Sequence, residues 1–388
     1  MTFKMKNPIL KNLILFALIS ALIFLFIFRI QSAMIDFEVN YTAGERLTWG
    51  ETLYRVEDEH YQFKYPPPAA ILYVPLTYLP INLAKAVWYF LVILSSAAIL
   101  ILSRNFFPEK KRPTGWILFL PFLVLARYFF REIKLGQINA LNTALLVFMT
   151  LVLIRSEKTE SKSLEAVSGI LWGLAVVLKP YALIFLPYFI LRKKGFQLVS
   201  GLVFIGFSLA APALFYGWNG NTEVLQEWTA TLSQSTPNLL STQDNISLFA
   251  IFAKWTQNAN WALYPTACTI LGLALLVFFV VKKRTHVDHP IPLESALLLM
   301  CIPLISPLGW DYTLLMAFPG LLIIIHHFPL FPKTGKTGLV INLSIIFFSL
   351  YDLLGKKLYA SFMSLSVITI NFLILVFYLA YLRFKKIF

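Results

Sequence analysis

Charge is scarce in this sequence. Only 13% of its 388 residues are Asp, Glu, Lys or Arg, whereas 58% are hydrophobic. A soluble globular domain has about 25% charged and about 45–50% apolar residues, so the soluble class is excluded. Disordered chains combine low hydrophobicity with high charge, and that class is excluded for the same reason. The composition predicts an all-α, polytopic integral membrane protein.

Several chemical signatures are also missing. The two cysteines, Cys268 and Cys301, lie inside apolar runs, which favours packing over a disulfide or a metal pair. The histidine pairs lack the spacing and co-ligands of a zinc site, so no metal is expected. Gly335-Lys336-Thr337 lacks the first glycine of a P-loop. There is no Gly-x-Ser-x-Gly elbow, no dinucleotide fingerprint and no alternating pattern long enough for a membrane barrel.

Long apolar runs are abundant instead. A spanning helix needs about 20 apolar residues, and twelve candidate segments predict about 10–13 transmembrane helices. The first segment follows Lys4, Lys6 and Lys11 and has no cleavage site of small residues after it, so it is interpreted as a retained signal anchor. The twelve segments are 9–30, 83–103, 116–130, 140–154, 166–178, 181–191, 196–216, 261–281, 293–306, 312–328, 337–354 and 361–382.

Basic residues are unevenly distributed along the chain. The 33 Lys and Arg against 19 Asp and Glu give a net charge of +14. When the N-terminus is placed in the cytoplasm, 21 of the 33 basic residues fall in inner segments, as the positive-inside rule requires. This predicts a multi-pass protein of the cell (inner) membrane with both termini cytoplasmic. No basic stripe or nucleic-acid-binding module is present, so no nucleic-acid partner is expected.

Two long segments fall on the predicted outer face. Residues 31–82 hold seven of the 19 acidic residues, and residues 217–260 form a second segment with several aromatic residues. Long loops in compact proteins are usually functional or disordered, and the aromatic content favours ordered structure. We therefore predict a single transmembrane domain over 1–388 whose functional face is extracytoplasmic.

Ionisable side chains occur at the predicted outer helix ends. Such groups are costly in lipid and usually face a cavity or a partner. Asp36, after the first helix, is interpreted either as a general base or as an interfacial carboxylate that pairs with Arg29 or caps a helix. Arg127 and Arg131 either hold an anion or form a salt-bridged turn with Glu132.

Two further polar sites interrupt apolar stretches. Lys179-Pro180 predicts either a buried lysine that binds an anion, such as a lipid phosphate, or a lysine that snorkels to the interface. Asp311 is a candidate for orienting an acceptor or for pairing with a cation. Trp310 and Tyr312 fit either an aromatic belt or a surface on which a sugar stacks.

An ordered set of short motifs carries a family resemblance. The set is Asp36, Tyr41, Gly50-x-x-x-Tyr54, Tyr65-Pro66-Pro67, Gly136-Gln137-x-Asn139, Lys179-Pro180, Asn245-x-Ser247 and Ser306-Pro307-x-x-Trp310. In this order, over about residues 36 to 312, the chain resembles glycosyltransferase family 87. These are membrane mannosyltransferases of the GT-C superfamily that use polyprenyl-phosphate sugars. One departure is Asp311-Tyr312, where members often have a histidine after the tryptophan.

The resemblance implies a GT-C fold with short interfacial helices in the first outer loop. It also implies inverting, metal-independent transfer of a sugar, such as mannose, at the outer face. The donor is a polyprenyl-phosphate sugar, which is a substrate, so no cofactor is expected. The other partners are a lipid or glycan acceptor and membrane lipids. The alternative is a transporter or flippase for a lipid-linked or small anionic substrate, although the internal repeat typical of that class is not found.

The chemistry of such a transfer assigns the candidate residues. The acceptor hydroxyl must be deprotonated, and charge that develops on the leaving phosphate must be neutralised. Asp36 is the predicted base. The predicted donor-phosphate residues are Arg127, Arg131, Lys179 and Gln137. The predicted acceptor or sugar residues are Tyr41, Tyr65, Asn139, Asn245, Trp310 and Asp311.

Overall fold

The computed structural model describes residues 8–235 and 237–387. Lys4 and Lys6, which precede the predicted signal anchor, lie outside the described residues. Regular structure in the described ranges is helical, apart from one isolated bridge between Asn245 and Trp310. The predicted all-α membrane architecture is confirmed.

The α-helices are numbered here in chain order. The first six are α1 (Pro8–Leu25), α2 (Ile35–Thr48), α3 (Pro67–Ile71), α4 (Val74–Thr77), α5 (Ile81–Ser103) and α6 (Trp116–Leu135). The next six are α7 (Asn139–Thr159), α8 (Lys162–Leu178), α9 (Phe185–Leu191), α10 (Gly195–Ala210), α11 (Ala213–Ser235) and α12 (Leu248–Thr256). The last six are α13 (Ala259–Lys282), α14 (Pro290–Ile305), α15 (Phe318–His326), α16 (Lys333–Phe348), α17 (Tyr351–Ser364) and α18 (Val367–Phe384).

Each of the twelve predicted apolar segments is mostly helical, but three of them cross a break between two α-helices. These three are 196–216, 337–354 and 361–382. Fewer than twelve, however, have the length and apolarity of a complete span. In the described part of the chain five helical stretches meet that test, or seven when two bent helix pairs each count as one span. The five are Asn12–Ala33, Ile81–Phe106, Asn139–Thr159, Ala259–Thr285 and Val367–Phe384. The bent pairs are α10 with α11, at 93°, and α16 with α17, at 101°.

The count is lower than 10–13 because several apolar helices are short and lie inside the protein. In α14, all residues from Ile291 to Leu304 are buried, and in α15 all residues from Phe318 to Ile325 are buried. A helix that is apolar on all sides belongs in a core, where it need not match the thickness of the bilayer. The longer helices, such as α1, instead expose apolar side chains at the surface.

The predicted outer segment 31–82 is ordered and mostly helical. It contains α2, a 3-10 helix (Val56–Tyr61), α3 and α4. These elements pack with α11 around a second, smaller core that includes Leu47, Tyr54, Phe63 and Val224. The segment thus forms a folded layer beside the helix bundle, which we call the outer layer after its predicted position. This layer supplies one side of the cavity described below.

Charged side chains form two separate clusters, one around Glu294 and one in the cavity described below. In one cluster, which we call the Glu294 cluster, Glu294 accepts hydrogen bonds from Arg192, Arg383 and Tyr188 at 2.9–3.0 Å. Arg192 also pairs with Glu157. Arg192 and Arg383 both come from predicted inner segments, so the structure brings together residues that the topology prediction places on one face.

Loss of the Glu294 carboxylate should destabilise the fold. Glu294 is 1% exposed and Arg383 is 1% exposed, so Glu294→Ala removes a buried carboxylate that both Arg192 and Arg383 pair with, at a cost of roughly 3–5 kcal/mol. We expect a lower apparent melting temperature for the purified protein in detergent. Glu109→Ala is the matched control, because Glu109 is an exposed partner of Arg112 and surface pairs contribute little. Equal melting temperatures for both variants would contradict this account.

Candidate functional site

A cavity of about 940 Å³ lies where the outer segments meet the helix bundle. Its polar lining combines carboxylates, cations and amides with aromatic rings. These side chains are Asp36, Lys64, Tyr65, Arg131, Gln137, Lys179, Tyr181, Asp244, Trp310 and Tyr312. The apolar lining includes Ile35 and Leu183, both of which are also exposed at the surface. The cavity therefore has a polar interior and an apolar opening, which suits a ligand with a polar head and a hydrocarbon chain.

The turn between α6 and α7 positions the centre of the site. Gly136 ends α6 in the left-handed conformation at φ 69°, which glycine adopts without strain. A Cβ atom at this position would lie 2.7 Å from Phe37 Cβ of α2. The Gly136 carbonyl accepts a hydrogen bond from Trp88 Nε1 at 2.8 Å. Glycine thus permits both the turn and the close approach of α2.

Glu132 holds the other side of the same turn. Its carboxylate is fully buried and accepts hydrogen bonds from Asn139 Nδ2 at 2.8 Å and from the Ala140 N–H at 2.7 Å. A carboxylate at a helix N-terminus also interacts favourably with the helix dipole. Glu132 therefore caps α7. No salt bridge from Glu132 to Arg127 or Arg131 occurs in the described structure, because those two arginines pair elsewhere.

The side-chain amide of Gln137 connects the cavity walls. Its Nε2 donates to Asp36 Oδ2 at 2.6 Å and to Tyr312 Oη at 3.1 Å. Its Oε1 accepts from Tyr65 Oη at 3.0 Å and from Lys179 Nζ at 3.4 Å. Since Gln137 is 4% exposed, these bonds satisfy an amide that would otherwise be buried at a cost. They also hold Asp36 at the cavity wall.

Lys179 lies at a break between two helices. Pro180 disfavours helical backbone at the residue before it, and Lys179 is extended at φ −150° and ψ 118°. Lys179 is 9% exposed. Its ammonium group donates to Asn139 Oδ1 at 2.8 Å and lies 4.8 Å from the centre of the Tyr65 ring. Of the two interpretations, a buried lysine fits these contacts and a snorkelling lysine does not.

Arg127 and Arg131 are one helical turn apart on α6 and share a buried acid. Asp311 is fully buried and pairs with Arg127 at 3.0 Å and with Arg131 at 2.8 Å. Arg131 also pairs with Asp244 at 2.8 Å and lines the cavity. Arg127 instead extends away from the cavity towards Ser349 and Tyr359. Of the two arginines, Arg131 is the one that a ligand can reach.

Asn245 forms hydrogen bonds to the loop 306–310, which forms another wall of the cavity. Its Oδ1 accepts from the Gly309 N–H at 3.1 Å, and its Nδ2 donates to the Pro307 carbonyl at 2.9 Å. The Ile246 N–H donates to the Gly309 carbonyl at 2.7 Å. The motif residues around 245 and 306–310 therefore belong to two segments of one local structure.

Lys254 forms further hydrogen bonds to the same region. Its ammonium donates to the carbonyls of Gln243 and Asn245 at 2.9 and 2.7 Å. Burial lowers the pKa of Lys254 to about 8, and the nearby Asp244 partly opposes that shift. Its hydrogen bonds hold the segment that carries Asp244, the partner of Arg131.

Six of the eleven predicted site residues line the cavity. They are Asp36, Tyr65, Arg131, Gln137, Lys179 and Trp310. The structure assigns the other five to the surrounding framework, so their predicted direct contacts with donor or acceptor receive no support from its geometry. They are Arg127, Tyr41, Asn139, Asn245 and Asp311. Tyr41, for example, donates to the Leu79 carbonyl at 3.0 Å.

Sequence reasoning did not assign four of the ten side chains named for the cavity, which are Lys64, Tyr181, Asp244 and Tyr312. Tyr181 directly follows Lys179-Pro180. Lys64 directly precedes the Tyr65-Pro66-Pro67 motif, and that adjacency was an available signal. Asp244 directly precedes Asn245-x-Ser247 in the same way. Tyr312 was interpreted as an aromatic belt or a stacking surface, whereas its hydroxyl accepts a hydrogen bond from Gln137.

The fold and the cavity define a polytopic membrane protein with a polar site that opens on an apolar surface. The sequence profile of glycosyltransferase family 87 matches residues 63–307, which is more than half of the chain. The chain belongs to glycosyltransferase family 87, and the predicted family is confirmed. Asp36 lies outside the matched range.

Two curated relatives have the same description, polyprenol-phosphate-mannose-dependent alpha-(1-2)-phosphatidylinositol mannoside mannosyltransferase. The protein from Mycobacterium tuberculosis is 25% identical over 285 residues, which cover 68% of this chain and 61% of the relative. The protein from Mycolicibacterium smegmatis is 26% identical over 281 residues, which cover 67% of this chain and 61% of the relative. The chain thus spans about three fifths of the length of these relatives. No solved structure matches significantly.

A methyl group at Gly309 should disrupt the cavity wall. An added Cβ would lie 2.2 Å from the Pro303 carbonyl oxygen, and overpacking of this kind costs roughly 1–3 kcal/mol. We expect Gly309→Ala to lower the apparent melting temperature in detergent. Gly206→Ala is the control, because a Cβ there meets nothing within 4 Å and alanine favours the helix. Unchanged stability of Gly309→Ala would show that the wall can shift.

Proposed function

We propose that this protein transfers mannose from a polyprenyl-phosphate donor to a hydroxyl group of a lipid or glycan acceptor. The observation that carries the proposal is one cavity that holds a carboxylate, a buried lysine and a partly buried arginine beside an apolar opening. Membership of glycosyltransferase family 87 and the donor in the relatives' descriptions support it. The same descriptions suggest a phosphatidylinositol mannoside as an acceptor to test first.

Asp36 is the proposed general base. It lies in the first turn of α2, lines the cavity and accepts a hydrogen bond from Gln137. A carboxylate at this place can accept a proton from an acceptor hydroxyl.

The proposed reaction is a single displacement with inversion. The acceptor oxygen forms a bond to the anomeric carbon while the bond between that carbon and the phosphate oxygen breaks. The phosphate leaves with the electron pair, and Asp36 takes the hydroxyl proton. Arg131 and Lys179 are placed by fixed partners, so they can stabilise the leaving charge without reorganisation.

The setting of the site agrees with a lipid donor. Ile35 and Leu183 are exposed apolar residues at the cavity, and a polyprenyl chain can leave between such residues into the bilayer. We propose that this opening lies at the extracytoplasmic face of the cell membrane, with both termini cytoplasmic. The support is the excess of basic residues in the segments that the topology assigns to the opposite side.

The transporter or flippase interpretation is less well supported. Membership of a glycosyltransferase family favours an enzyme. Asp36, Arg131 and Lys179 are also held by hydrogen bonds and ion pairs, as expected for a preorganised catalytic site.

Asp36→Asn tests the base. The amide is nearly the same size but does not accept the proton, and general-base catalysis contributes about 10²–10⁴-fold. We expect transfer of radiolabelled mannose from polyprenyl-phosphate-mannose to extracted membrane lipids to fall by a factor in that range. The matched control is Glu57→Gln, an exposed acid in the same outer segment, which should retain turnover. Near-normal turnover by a well-folded Asp36→Asn protein would remove Asp36 from this role.

Lys179→Met tests the stabilisation of the leaving phosphate. The variant keeps much of the side-chain volume but removes the charge, and the loss of one preorganised electrostatic group costs about 10²–10³-fold in kcat. The same mannose-transfer assay measures this effect. Lys110→Met removes an exposed lysine remote in sequence from the cavity residues and should behave as wild type. An increase in KM at constant kcat would instead assign Lys179 to ground-state binding.

A further inference from the structure

Three cations line the cavity, and Lys64 differs from the other two. Arg131 pairs with Asp244 and Asp311, and Lys179 donates to side-chain oxygens. For the Lys64 ammonium, neither an ion pair nor a hydrogen bond is formed with any residue in the described ranges. Lys64 is nevertheless only partly exposed and faces the cavity.

The backbone around Lys64 is fixed. Trp228 Nε1 donates to the Lys64 carbonyl at 3.1 Å, and Tyr54 Oη donates to the Tyr65 carbonyl at 2.6 Å. Tyr54 and Phe63 belong to the smaller core of the outer layer. Hydrogen bonds from two aromatic side chains thus fix this segment, so the backbone of Lys64 has a defined position at the cavity wall.

The charges of the two nearby arginines are already compensated. Arg127 and Arg131 face two carboxylates, Asp311 and Asp244. Burial lowers the pKa of Lys64, and no carboxylate in the described part of the chain opposes that shift. A partly buried cation without a partner is unfavourable, and an anionic ligand would relieve that cost.

We propose that Lys64 binds a phosphate group of a lipid in this cavity. The cavity has an apolar opening, so an anion that reaches it in a membrane is carried by a lipid headgroup. Lysine is a common point-charge ligand of phosphate. The proposal deepens the proposed function and rests on it only in the choice of lipids. The phosphate comes either from the polyprenyl-phosphate donor or from a phosphate-bearing acceptor.

The test is direct binding, which needs no turnover. Farnesyl phosphate represents the donor and phosphatidylinositol represents the acceptor; farnesol and diacylglycerol are their phosphate-free counterparts. Each lipid is titrated into the purified full-length protein in a neutral detergent, with quenching of tryptophan fluorescence as the readout. The proteins are wild type, Lys64→Met, Lys64→Arg and Lys64→Gln.

We expect Lys64→Met and Lys64→Gln to bind one of the two phosphate lipids about 10- to 100-fold more weakly, as for the loss of a charged hydrogen bond. Lys64→Arg should retain most of the affinity because it keeps the charge. Binding of farnesol and diacylglycerol should not change. Weaker binding of farnesyl phosphate identifies the donor as the source of the phosphate, and weaker binding of phosphatidylinositol identifies the acceptor.

The control is Lys134→Met, which removes an exposed lysine at the end of α6 that does not line the cavity. Wild-type affinity of Lys64→Met and Lys64→Gln for both phosphate lipids would overturn the proposal. So would a wild-type protein that binds neither phosphate lipid better than its counterpart. If the binding results hold but no mannose is transferred, the proposed function fails and the role of Lys64 stands.

Discussion

The site depends on one buried amide, that of Gln137. Its two N–H groups and its carbonyl oxygen contact Asp36, Tyr312, Tyr65 and Lys179, which belong to four separate parts of the chain. A buried amide loses free energy for each group left unpaired, so these four parts must converge for the fold to be stable. The same requirement that satisfies Gln137 therefore assembles the carboxylate, the cation and the aromatic rings of the cavity.

Much of the fold could be predicted because lipid imposes a simple rule on sequence. Apolar runs such as 83–103 and 261–281 must be helical, since backbone groups need partners inside the segment. The number of complete spans could not be predicted in this way. An apolar run in α14 has the same composition whether lipid or protein surrounds it, and only the packing shows that residues 291–304 are enclosed by protein.

The site could be predicted only in part, because sequence places a residue in a segment but does not choose its partner. Arg127 and Arg131 are one turn apart and chemically identical. Asp311 lies 184 positions from Arg127 in the sequence and forms ion pairs with both arginines. Arg127 also donates hydrogen bonds to Ser349 and Tyr359, which do not line the cavity. Lys64 shows the converse, since it belongs to no motif, and only the absence of an acid near its ammonium in the described structure sets it apart.

The two sides of the cavity have different physical origins, and this difference bears on how two unlike substrates meet. The helices contribute Arg131 and Ile184, from elements that pack in the bundle. The outer layer contributes Lys64 and Tyr61, from a segment with its own small core. Under the proposed function, a lipid-borne donor would approach along the first side and the acceptor hydroxyl along the second. Asp36 lies in the first turn of α2, where the first spanning stretch gives way to the outer layer, so the proposed base would lie between the two approaches.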